Sequence, residues 1–117
     1  MEKLTVTEIT STNGLTARPE HFTTSSPWWS VKEHRVTLPA DRAVGGVWEA
    51  ESGWAYIKDW PYHQVCVILS GRIAVESLDG ERSEFGEGRA FLIPKGFNGY
   101  LYVLEPVRKV FVGVFDE

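Results

Sequence analysis

Short β-favouring runs, each cut off by glycine or proline, fill the stretch 53–99, and they restrict the folds open to this chain. HQVCVIL at 63–69 is halted by Ser70 and Gly71, and RAFLI at 89–93 is halted by Pro94, Lys95 and Gly96. Between them, 72–85 has the form of a hairpin, with Asp79 and Gly80 as the residues a two-residue turn places at positive φ. Runs this short, ended this abruptly, suit a curved antiparallel sheet packed on both faces.

The flanking sequence continues the pattern. A strand is expected over 4–9, then a polar tract from Thr23 to Pro27 whose hydroxyls compete for backbone hydrogen bonds and mark a loop. Trp28 and Trp29 follow, with the character of a lid on the end of a barrel or of a subunit contact. Further strands are expected over 34–38, stopped by Pro39, and over 44–50, where Gly45 and Gly46 allow a bulge or a close backbone approach. Over 54–60, Trp54, Tyr56, Lys58 and Trp60 alternate with Ala55, Ile57 and Asp59, and 100–104 and 107–115 complete the strands. No window carries a sustained 3.6-residue apolar period, so little helix is expected. About ten short strands in one small chain imply a sandwich or a barrel.

Composition narrows the partners. At 117 residues the chain is expected to form one domain, 1–117, and a net charge of −4 offers no basic stripe for nucleic acid. One cysteine excludes an intrachain disulfide and fits a reducing compartment. With no apolar run near the ~20 residues of a membrane span and no leader-like start, a cytoplasmic protein without a membrane partner is expected. Five tryptophans, four tyrosines and six phenylalanines are a heavy aromatic load, more than a small core must take up, so a ligand or a partner is expected.

These motifs resemble the cupin superfamily. Gly88, five residues, then Pro94, Lys95 and Gly96 reproduce the frame of the second cupin motif, and Gln64, seven residues before Gly71, matches the end of the first. GVWE at 46–49, the 65–69 run into Ser70 and Gly71, and LEPVRK at 104–109 are similar to small single-domain cupins related to ureidoglycine aminohydrolase and the ethanolamine-utilisation cupin. The resemblance implies an all-β, RmlC-like jelly-roll, a double-stranded β-helix barrel, with its core over 44–114 and N-terminal strands and a polar loop over 1–43.

Metal-bearing cupins ligate one cation with histidines and a glutamate, and here that set is degenerate. The glutamate position is Gln64, the first-motif histidines fall on Lys58 and Trp60 or on Ile57 and Asp59, and the second-motif histidine falls on Gly99. No resident metal and no other cofactor are therefore expected. His21, His34 and His63 lack ligand spacing, and no nucleophile elbow, phosphate loop or HExxH is present. What remains is a ligand-binding wall of Trp48, Trp54, Tyr56, Lys58, Trp60, Gln64, Cys66 and Phe97. Three readings follow: a cupin binding a small, anionic molecule without metal, Lys58 being its main polar group; a structural or regulatory homodimer with a plugged barrel; or a metal-dependent hydrolase of the ureidoglycine aminohydrolase type. A homodimer is expected because Val65, Val67 and Leu69 make the outer face of their strand as apolar as the inner.

Overall fold

A computed structural model describes residues 6–18, 22, 24–27, 29–38, 40 and 42–115. Among these residues eight antiparallel strands run in chain order: β1 (Thr16–Arg18), β2 (Val31–Thr37), β3 (Ala43–Ala50), β4 (Gly53–Ile57), β5 (His63–Ser77), β6 (Arg82–Phe85), β7 (Ala90–Ile93) and β8 (Gly99–Val114). No α-helix occurs among the described residues, and none of their segments is a helix long and apolar enough to cross a membrane.

The architecture is set by the two long strands. β5 and β8 pair along their whole lengths, from His63 opposite Val114 to Ser77 opposite Gly99, with register shifts between Ile68 and Ile73. At those bulges both strands bend and pass from one layer into the other. The first layer runs β1-β2-β3, then the C-terminal half of β8, the N-terminal half of β5, and β7. The second runs β4, the N-terminal half of β8, the C-terminal half of β5, and β6. This is the jelly-roll barrel that the sequence resemblance implies. Its core joins Val44, Trp48, Ile57, Cys66, Ile68, Ile73, Leu101, Val103, Val107 and Phe111.

Several boundaries differ from expectation for identifiable reasons. Ser70–Gly71 and Glu105–Pro106 read as strand ends but sit inside continuous strands, so the described residues hold eight strands rather than about ten. Gly71 has φ +89, and a Cβ there would overlap the Pro106 carbonyl, so the turn signal marks where two strands cross. In the β5–β6 hairpin, Ser77 N donates to Glu81 O at 2.9 Å, enclosing Leu78, Asp79 and Gly80, of which only Gly80 has positive φ. The loop is thus of the three-residue kind, and Asp79 instead accepts hydrogen bonds from the Ser77 hydroxyl and Glu81 N. Residues 6–9 form no strand; Ile9 packs over Gly45 on the outside of β3, and Arg108 Nη2 donates to Thr10 O at 2.6 Å. The remainder of the strand expected over 4–9, like Trp28 and His21, lies outside the described residues.

Candidate functional site

Where two strands of an antiparallel pair face each other, directly opposed residues share a face. Gln64 stands opposite Ile93, Cys66 opposite both Phe91 and Phe111, Ile68 opposite Lys109, and Lys109 opposite Trp48. All of these point into the barrel. Gln64, Cys66 and Ile68 are buried, as their alternation predicts, and His63 is exposed, its Nδ1 accepting from Lys95 N at 3.2 Å.

The polar centre of this interior is Lys109, which sequence reasoning missed. Only 4% exposed, its amine lies 4.6 Å from the centroid of the Trp48 ring and 6.0 Å from that of Phe91. It donates to Cys66 Sγ at 3.7 Å. Among the described residues no carboxylate pairs with it. Glu33, opposite Trp48 on the same inner face, is taken up by Arg35, whose Nη2 reaches it at 2.7 Å and Nε at 2.9 Å. Burial pushes the Cys66 thiol above its ordinary value, and the nearby Lys109 charge and hydrogen bond only partly oppose this. Cys66 is thus a neutral thiol, a packing and donor-accepting group rather than a nucleophile.

Two more polar atoms face inward without a partner among the described residues: Gln64 Oε1 and Trp60 Nε1. Trp60 packs on Tyr62 at 5.8 Å, and Tyr62 covers Gly113 and stacks on Phe115 at 5.1 Å, closing that end of the barrel. Near β3, Trp29 covers Gly53, donates from Nε1 to Glu51 O at 2.7 Å, and meets Trp48 edge-on at 6.1 Å.

The expected wall is brought together only in part. Trp48 and Cys66 touch Lys109, Gln64 lies further along the inner face of β5 opposite Gly113, and Trp60 and Phe97 are half-buried beside the core. Trp54, Tyr56 and Lys58 are a correction. Ala55 and Ile57 are the buried members of β4, so the alternation exists with the opposite phase. Trp54 and Tyr56 lie on the outer face opposite Tyr102 and Tyr100, Tyr56 and Tyr100 at 5.3 Å, with the Arg82 guanidinium 5.0 Å over Tyr102. Lys58 is exposed. Asp59, at φ +49, ends the alternation, which is why Trp60 turns in although Lys58 points out.

Nor do the residues fit the cation of metal-bearing cupins. Ile57 and Gly99 face each other on the core side, Gln64 supplies a neutral amide, and Asp59 is exposed. Among the described residues no three His, Cys, Asp or Glu side chains converge. A divalent ion at these positions would find neither an imidazole nor an inward carboxylate to offset its dehydration, so the residues do not fit one.

Comparison with curated proteins yields no match. Solved structures share the architecture. EutQ of Clostridium difficile is 19% identical over 76% of this chain and 71% of its own, with a TM-score of 0.68. The polyketide cyclase RemF of Streptomyces resistomycificus is 17% identical over 95% and 81%, with a TM-score of 0.70. A DUF861-family protein of Thermotoga maritima is 32% identical over 56% and 73%, with a TM-score of 0.53. At the sequence level, the profile of the EutQ-like cupin domain matches residues 37–111, from the end of β2 through Phe111 on the inner wall. That match takes in most of the chain and all of β3 to β7, and with the jelly-roll around it the chain belongs to the family of EutQ-like cupin domains.

Proposed function

We propose that this cupin binds a small anionic molecule inside the barrel without a metal, and that Lys109, not Lys58, reads the negative charge. The observation that carries the reading is a buried amine with no carboxylate partner among the described residues. Taking an ammonium out of water costs several kcal/mol. Cation–π contact with Trp48 returns about 2 kcal/mol. A ligand's carboxylate or phosphate supplies the missing counter-charge. The test is thermal shift with small carboxylates and inorganic phosphate on the wild type, Lys109→Met and Lys58→Met. Stabilisation is expected in the wild type and Lys58→Met and lost in Lys109→Met. Equal responses in all three, or none in the wild type, would overturn the proposal.

A second reading concerns assembly. Leu92, Val65 and Val112 stand side by side across β7, β5 and β8 on the outer face, 71%, 42% and 41% exposed. Ile9 covers the same row only where it reaches Gly45. A contiguous apolar row next to the edge strand β7 is the kind of surface that a second copy buries, and this supports a homodimer.

A further inference from the structure

β6 and β7 both pair with β5, but with different halves of it: Arg82–Phe85 on 73–76 and Ala90–Ile93 on 64–67. They do not pair with each other, and a seam opens where the barrel wall would otherwise close. A cleft of 180 Å³ occupies this seam, walled by Val75, Phe85, Phe91, Ile93 and Phe97. Phe85 and Phe91 stack across it at 4.4 Å with their planes 14° apart. Phe91 belongs to two sites at once, since its ring is a wall of the cleft and also lies 6.0 Å from the amine of Lys109. An apolar cavity of about 150 Å³ accepts benzene, so this one has room for a ring.

We infer that the cleft between β6 and β7 is the way in to Lys109, and that the ligand is a carboxylic acid with an apolar, ring-sized tail. This deepens the proposed function and rests on its reading of Lys109. The apolar walls favour the tail, and the buried cation behind Phe91 favours the carboxylate. Orientation follows from the mouth, where Glu81 repels an anion that would rest there and leaves the inner amine as the attractive end. The stacked pair Phe85 and Phe91 forms the door, one ring turning aside as the acid passes.

The experiment measures affinity by calorimetry for acetate, 3-phenylpropionate and 3-phenylpropionamide. It uses the full chain, Lys109→Met, and the plugged variants Ser83→Trp and Glu81→Trp at the exposed rim, each first checked for a single cooperative melting transition. Wild type is expected to bind phenylpropionate at least tenfold more tightly than acetate, and the amide at least tenfold more weakly than the acid. Either plug is expected to remove the advantage of the tail, while acetate, small enough to pass the narrowed cleft, keeps its affinity, and Lys109→Met to lose both acids. If acetate and phenylpropionate bind equally, or if both plugs leave the tail's advantage intact, the cleft is not the tail site and only the anion reading stands. If no acid binds the wild type, or Lys109→Met still binds both, the anion reading itself falls.

Discussion

Lys109 should show an unusual thermodynamic signature. Replacing a buried charge by an apolar side chain of similar length is often neutral or stabilising, by about 1–4 kcal/mol. Lys109→Met is therefore expected to melt at or above the wild-type temperature in the absence of ligand, while losing the response to acids. A loss of more than about 2 kcal/mol would mark Lys109 as a structural residue instead. Cys66, its neighbour, gives a pH dependence. The native thiol pKa is raised above the ordinary 9.0, so the stability it contributes is complete below that value and is lost as pH rises through the native pKa. Denaturation of wild type and Cys66→Ala should give parallel stabilities below pH 9.0, with wild type falling relative to the variant above it. Parallel behaviour throughout would mean the thiol is not desolvated.

Among the elements, the crossing of β5 and β8 tolerates least. Gly71→Ala combines a positive φ with overlap on the Pro106 carbonyl and is expected to cost about 3 kcal/mol, whereas Gly80→Ala, with open space around it, is expected to cost about 1 kcal/mol. Chemical denaturation of the two variants side by side tests this, and similar losses would contradict it. The same elements show what the sequence can and cannot disclose. The β-favouring runs are legible in the sequence, and so is the phase of Gln64, Cys66 and Ile68, because Gln64 holds an inward position of the cupin-like motif and strict alternation carries that phase along β5. The phase of β4 is not, because its large rings are paired with Tyr100 and Tyr102 from a distant strand, and size alone pointed them inward. Lys109 is hidden for a related reason. Each face of 107–114 carries one cation among apolar or small residues, Lys109 on one and Arg108 on the other, so nothing local tells which side meets Cys66 and Trp48. Ser70–Gly71 and Pro106 carry turn chemistry, but the chain spends it on a bulge between strands, a use that only long-range pairing defines.

For the whole molecule, the outer apolar row makes self-association the property to measure. Leu92→Lys alters an exposed side chain on an edge strand, so it should leave the melting temperature of the fold nearly unchanged while converting a dimer to a monomer. Light scattering at high micromolar concentration separates the cases, and a monomeric wild type would refute the assembly. The shared strands have a kinetic consequence as well. Because β5 and β8 each belong to both layers, neither layer can open and leave the other intact. Amide exchange at Cys66 and at Ile73, in different layers, should then require one common opening event and respond together to denaturant. That ladder also sets the order of assembly. Ser77 and Gly99 are the pair closest along the chain and His63 and Val114 the farthest apart, so pairing must first close a long loop at the near end and then zip outward through partners ever more distant in sequence. Refolding should therefore be slow for a chain this short, with the layer containing Lys109 and Cys66 closing last, so that the amine goes out of water only after the rest of the barrel exists to receive it.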